Sequence, residues 1–228
     1  MIKNPKYKQP LRLVNRLLFS NRCRVCGKVT AVNLDICENC SVEKFRISEN
    51  AIAAKSTSNK NYDRITSPFY YTGNIKTCIQ NFKYKGFKRA ADFLSAEMIK
   101  VLERDFADEE VDYITCVPVT RRRRRQRGYN QDELLLKEIA KAFNLKSAPK
   151  LLIKTKNTPT QVNLKMNERK SNLKGAFRAN DKFHLENKTI LLCDDVKTTG
   201  STLDECSKTL KKAGAKRVIC VTCALNEF

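Results

Sequence analysis

Two apolar runs dominate the last third of the chain. Ile190 to Cys193 are four consecutive apolar residues, and Arg217 to Leu225 (RVICVTCAL) is apolar at almost every position. Short continuous runs of this kind suit strands buried on both faces of a parallel sheet. Leu203 to Ala213 reads as the helix between them. Upstream, Ile75 to Phe82 and Ala90 to Leu102 read as helices separated by Gly86, the second carrying Ala91, Leu94, Met98, Ile99 and Leu102 on one face. Pro68 to Tyr71 and Asp112 to Pro118 read as short strands, the latter ended by its proline. A helix from about Asn130 to Phe143 places Leu134, Leu135, Ile139 and Phe143 inward. These elements describe an α/β domain with a parallel sheet flanked by helices.

Directly after the Ile190 run stand Asp194 and Asp195, then Thr198, Thr199, Gly200, Ser201 and Thr202. Ligands of open α/β sheets bind beyond the carboxyl ends of such strands, so the two carboxylates are expected to emerge at a crevice. The hydroxyl-rich turn opens a helix and supplies closely spaced donors, the equipment for holding a phosphate. Carboxylates accept hydrogen bonds from a diol and repel a phosphate, whereas N–H and O–H donors do the reverse. No Gly-x4-Gly-Lys-Ser/Thr stretch occurs, which excludes a Walker A loop.

Composition adds a partner class. With 228 residues, 45 Lys+Arg against 24 Asp+Glu and a net charge of +21, the chain suits a polyanion, with nucleic acid first and an anionic membrane surface second. It has no run of eighteen apolar residues and no signal-peptide pattern, so a cytoplasmic protein is expected, with peripheral membrane association as a further expectation. Leu11, Leu13, Val14, Leu17 and Leu18 recur at helical spacing among Lys3, Lys6, Lys8, Arg12 and Arg16, a basic amphipathic segment suited to docking within the chain, on a partner or on acidic lipid.

Of ten cysteines, Cys23, Cys26, Cys37 and Cys40 form two C-x2-C pairs with ten residues between them. Each pair sets two thiolates on one turn, and facing turns close a tetrahedral four-sulfur site for structural Zn²⁺ with no position left open for catalysis. Cys220 and Cys223 repeat the spacing inside a strand, where residues three apart point to opposite faces and cannot share a metal. With Cys78, Cys116, Cys193 and Cys206 they read as small core residues, and His184, the one histidine, reads as a loop or strand-edge residue.

Arg121, Arg122, Arg123, Arg124 and Arg125, with Arg127, follow the Asp112 strand as a strand-to-helix loop, which opens either on the rim of the phosphate turn or as a solvated patch for nucleic acid. Between Lys146 and Arg178 nine basic residues face one acid, Glu168, so the polar stretch from Leu151 to Phe177 is a lid, a nucleic-acid arm or a disordered loop. Tyr70, Tyr71, Phe82, Tyr84, Phe87 and Tyr129 interleave with Lys83, Lys85, Lys88 and Arg127, the mixture on which bases stack while phosphates are neutralised.

The whole resembles the ComF family, phosphoribosyltransferase-like competence proteins of DNA uptake and natural transformation. The resemblance rests on the four cysteines, FKYKG at Phe82 to Gly86, VPVTRRRRRQRGYNQ at Val117 to Gln131, Thr158, Gln161, Leu164, Arg169, Asn172 and Gly175 to Phe177, and the Asp194 motif. It implies a type I phosphoribosyltransferase-like fold over 62–228 with a zinc-ribbon module over 1–50. It also implies a pocket for phosphoribosyl diphosphate (PRPP) with Mg²⁺, a helicase partner, and single-stranded DNA as ligand. Asp194 and Asp195 would hold the ribose and act in any catalysis. Thr198 to Thr202 would hold the 5-phosphate, and Val119, Thr120 and the arginines the diphosphate. Lys83, Lys85, Arg121 to Arg125 and Arg127 would contact nucleic acid. Hypoxanthine-guanine transferases place an aspartate base where Thr198 stands, and threonine cannot deprotonate a purine near neutral pH. Single-strand binding with a retained PRPP pocket is therefore the favoured reading, with active phosphoribosyl transfer to an unknown acceptor as the alternative; a PRPP-sensing repressor ranks third.

Overall fold

The computed structural model describes residues 21–31, 34–48, 60–156 and 173–226. The basic amphipathic segment before residue 21, and Thr158, Gln161, Leu164, Arg169 and Asn172, lie outside the described residues.

Five parallel strands form the central sheet. β1 (Arg64–Thr66) and β2 (Phe69–Tyr70) both pair with β7 (Arg217–Leu225), which pairs with β6 (Thr189–Lys197), which pairs with β3 (Tyr113–Cys116). β1 and β2 make one edge, interrupted at Ser67–Pro68, where proline removes a ladder donor. The Arg64 strand has no apolar alternation and went unpredicted; β7 recruits it by register, Arg64 opposite Ile219. A separate antiparallel pair, β4 (Leu152–Lys154) with β5 (Phe177–Ala179), bounds the stretch expected to be irregular.

The helices are α1 (Gly73–Tyr84), α2 (Ala90–Asp105), α3 (Arg121–Arg127), α4 (Gln131–Phe143) and α5 (Ser201–Lys212). They divide the core in two. Leu191, Cys193, Ile219, Val221 and Cys223 face α1, α2 and α4, while Ile190, Leu192, Val218 and Cys220 face α5 and the β4–β5 pair. The central strands are thus covered on both sides, which is why their middles read as near-continuous apolar runs. Cys220 and Cys223 fall on opposite faces as their spacing requires. Cys78, Cys116, Cys193 and Cys206 are buried, and His184 is exposed.

The four-cysteine segment joins the first of these cores: Cys23, Val25, Cys40 and Val42 pack with α1 and α2. The Cys78 thiol donates to the Arg24 carbonyl (3.7 Å), the Asn74 amide to the Asn39 carbonyl (3.1 Å), and Arg46 pairs with the buried Glu97. Ile47 N–H donates to the Pro68 carbonyl (3.0 Å), and Arg46 bridges Phe69 on the outer side of β2. The polar stretch after Cys40 therefore partly covers the edge of the sheet. Gly73 opens α1 at φ +49, a left-handed conformation, beside the Phe45 ring.

The arginine run is helical, which corrects the expected loop. Thr120 caps α3, its hydroxyl accepting from Arg123 N–H (3.3 Å), and Gly128 ends it in the left-handed conformation at φ 76. Arginine is a good helix former, so cap, run and glycine together specify one short helix.

Candidate site at the β6–α5 junction

The strand β6 runs on past the apolar tetrad. Asp194 pairs with Thr222, Val196 with Ala224 and Lys197 with Leu225, so both carboxylates belong to the ladder. Asp194 and Asp195 are 8% and 6% exposed, where emergence at an open crevice was expected. The ladder extends because β7 is equally long, and the additional pairing outweighs the acids' preference for water.

Strand alternation sends the two acids to different neighbours. Asp195 lies on the α1 and α4 side: its Oδ1 is 2.8 Å from Lys83 Nζ, and its Oδ2 accepts from Gln131 Nε2 at 3.2 Å. Asp194 lies toward α5 and β4, folding back to accept from Asp195 N–H at 2.9 Å. Asp132, in the first turn of α4, completes a cluster in which one oxygen of each carboxylate lies within 4.8 Å of the others. Burial, then the Asp195 charge, raises the Asp194 pKa to about 8. Burial works against the Lys83 ammonium, but Asp195, with Asp194 and Asp132 behind it, more than compensates and raises its pKa.

Three elements converge on this cluster. Cys116 is opposite Cys193, so Val119 and Thr120 leave β3 beside the acids on β6. On β4, burial and the Arg123 charge depress the Lys154 pKa, while Asp194 opposes the shift. The turn to α5 supplies hydroxyls: Thr199 and Ser201 hydrogen-bond at 2.9 Å, the Thr199 hydroxyl also accepts from Ser201 N–H at 3.4 Å, and Gly200 sits at φ 75 with Lys197 and the Tyr62 hydroxyl against it. Thr198, Thr199 and Thr202 are part-exposed, whereas Gly200 and Ser201 are buried.

Lys83, expected on a nucleic-acid surface, turns its ammonium inward, its side chain only 17% exposed. Its neighbours point out: Tyr84 is 64% exposed, and Lys85 and Lys88 are exposed. Tyr129, just beyond α3, donates its hydroxyl to the Phe82 carbonyl, and Lys88 Nζ stands 5.1 Å over its ring. Arg122 and Arg125 are exposed, while Arg124 makes two contacts with Glu133 at 3.1 and 3.2 Å; the side chains of Arg121 and Arg127 are not among those described. Asp132, Gln131 and Lys154 were absent from the sequence-derived site. Gln131 ends the RGYNQ motif, the one signal that pointed to it.

The four cysteine sulfurs form a second cluster, also within 4.8 Å of one another. Cys26 and Cys37 Sγ are 3.8 Å apart, which matches the edge of a tetrahedron of zinc-bound sulfurs, about 3.8 Å for Zn–S bonds of about 2.3 Å. Burial opposes the Cys23 thiolate, yet backbone N–H groups of Cys37, Cys26 and Val25 bring its pKa down to about 7. The group could hold one metal ion.

Known proteins are similar to this chain. The phosphoribosyl transferase domain family matches residues 133–227. Competence protein F of Haemophilus influenzae is 28% identical over 200 residues, covering 86% of this chain and 81% of that protein. The chain is a homologue of the ComF-type competence proteins. DNA utilization protein YhgH of Escherichia coli is likewise 28% identical, over 86% of each chain, and competence protein ComFC of Bacillus subtilis is 23% identical over 84% of this chain and 72% of its own. Among solved structures, the B. subtilis glutamine PRPP amidotransferase with ADP and GMP aligns at TM-score 0.40 and 20% identity, over 59% of this chain and 26% of that one. A Staphylococcus aureus hypoxanthine phosphoribosyltransferase aligns at TM-score 0.38 and 14% identity, over 58% and 62%. The chain thus spans less than two thirds of either solved chain. Among its described residues no helix is long and apolar enough to cross a membrane.

Proposed function

We propose that this ComF-type chain binds single-stranded DNA during DNA uptake and retains a PRPP cradle at the β6–α5 junction. The observation that carries the DNA reading is the joining of two distant basic-aromatic segments into one surface. Tyr129 anchors to Phe82 and lies under Lys88, and Tyr84, Lys85, Arg122 and Arg125 are exposed on the two segments so joined. Bases stack on the rings while cations track the backbone, giving sequence-tolerant binding. DNA would meet this surface in the cytoplasm, with the helicase partner beside it; an anionic membrane surface is the second polyanion.

Supporting the cradle are the hydroxyl pair of Thr199 and Ser201 and three carboxylates, hard oxygen donors of the class that Mg²⁺ takes. Mg²⁺ entering with PRPP would neutralise its diphosphate; ribose hydroxyls would meet Asp194 and Asp195, and the 5-phosphate the Thr198–Thr202 turn. Zn²⁺ on Cys23, Cys26, Cys37 and Cys40 would fix the ribbon of a 1–50 module against the 62–228 domain. Active transfer is the second reading: carboxylates near the expected anomeric carbon would stabilise a cationic transition state.

The DNA reading is tested by titrating oligothymidylate into the wild type and a Tyr84→Ala/Lys85→Ala/Arg125→Ala variant over a range of salt. Affinity should fall steeply, with a slope of roughly −0.7 per phosphate contacted, shallower in the variant. A flat salt response defeats it. Calorimetry with PRPP and Mg²⁺ tests the cradle: undiminished binding by Asp194→Asn/Asp195→Asn excludes the assignment, and pyrophosphate release with a panel of bases and amines tests transfer.

A further inference from the structure

Lys83 sits where the two proposed ligands meet. Its ammonium occupies Asp195 Oδ1 at 2.8 Å while Gln131 holds Oδ2, so both oxygens of this carboxylate are engaged within the protein. A ribose diol would donate to the same two oxygens, in competition with these contacts. A ligand that brings its own divalent cation also sets positive charge beside the ammonium. Ligand and Lys83 would therefore compete for Asp195.

The same turn carries the DNA surface. Lys83 is the penultimate residue of α1; Tyr84 and Lys85 follow it, exposed, and Gly86 then turns the chain at φ +65. The lysine stem is long and unbranched, so its head can swing out without moving the helix. Once displaced from the carboxylates the ammonium needs another anion, and the phosphates of a strand lying over Tyr84 and Lys85 would offer one on the outer side of the helix end.

We infer that Lys83 is a resident cation that closes the acidic cluster of the DNA-free protein, and that single-stranded DNA draws it outward, so that DNA and the PRPP–Mg²⁺ complex bind cooperatively. The inference rests on the proposed function and adds its regulation. Coupling of this kind is reciprocal: whatever factor DNA applies to the sugar-phosphate ligand, that ligand applies to DNA.

Calorimetry on the full chain tests this, with PRPP and Mg²⁺ titrated in the absence and presence of saturating oligothymidylate of roughly 20 nucleotides. DNA should tighten PRPP binding by about tenfold, and PRPP should tighten DNA binding equally. Lys83→Met should bind PRPP about tenfold more tightly without DNA, and the effect of DNA on it should shrink below about twofold. If DNA leaves the wild-type PRPP affinity unchanged or weakens it, or if folded Lys83→Met binds PRPP no better than wild type, the inference is overturned while the cradle stands. If neither protein binds PRPP, cradle and inference fall together. Should the variant not fold, the wild-type titration decides alone.

Discussion

Replacing Asp194 with asparagine should stabilise the protein at alkaline pH and do little in acid. The free carboxyl titrates at 3.8 and the folded one at about 8, held up by burial first and by the Asp195 charge second. Below the lower value both states carry the proton and the fold loses nothing. As pH rises, the unfolded chain releases its proton while the folded chain keeps it. Stability therefore falls until about pH 8, where the folded carboxyl ionises and the loss levels off. At about 1.4 kcal/mol per pH unit, the stretch from about pH 5.5 to pH 8 sets a ceiling near 3 kcal/mol. The asparagine side chain keeps the size of the original and an oxygen to accept from Asp195 N–H, without the charge. The advantage of Asp194→Asn over wild type should therefore grow by up to about 3 kcal/mol between about pH 5.5 and 8.5. For a chain of this size that is a rise in relative Tm of up to about 9 °C. Thermal unfolding of both proteins at both pH values reads this directly, and groups common to the two cancel in the double difference. An advantage that does not change with pH, or a variant less stable than wild type at pH about 8.5, refutes the reasoning.

Stripping metal from the four cysteines should lower the Tm of the whole chain rather than melt a separate module, because Cys23, Val25, Cys40 and Val42 share a core with α1 and α2; elemental analysis with calorimetry checks it, and an unchanged transition after complete removal contradicts it. Gly73→Ala forces a Cβ to 2.2 Å from Phe45 Cζ at φ +49 and should cost about 2 kcal/mol or more in a denaturant titration; a loss under about 0.5 kcal/mol contradicts the contact. Phe82 is fully buried with its ring 6.0 Å from Tyr129, so Phe82→Ala should cost about 3–5 kcal/mol by the same assay, and a loss below about 1 kcal/mol contradicts that packing.

The sequence by itself determined the parallel α/β plan, because a strand covered on both faces must be largely apolar, as Ile190 to Cys193 and all but Arg217 and Thr222 of the Arg217 to Leu225 run are. It determined the four-cysteine cluster through spacing alone, and the opposite facing of Cys220 and Cys223 through the two-residue strand period. Only the tertiary structure decided what surrounds the acids. A local pattern ends a strand where polarity begins, but the ladder of β7 carried β6 through Asp194 to Lys197, burying carboxylates that the pattern had placed outside. Lys83, Asp132 and Gln131 come from two other helices, up to 112 positions away in the case of Lys83 and Asp195. Lys83 and Lys85 look alike in FKYKG; the direction in which each points is set by helical phase at the end of α1 and by the carboxylates buried inside, and neither is written within a window of neighbouring residues.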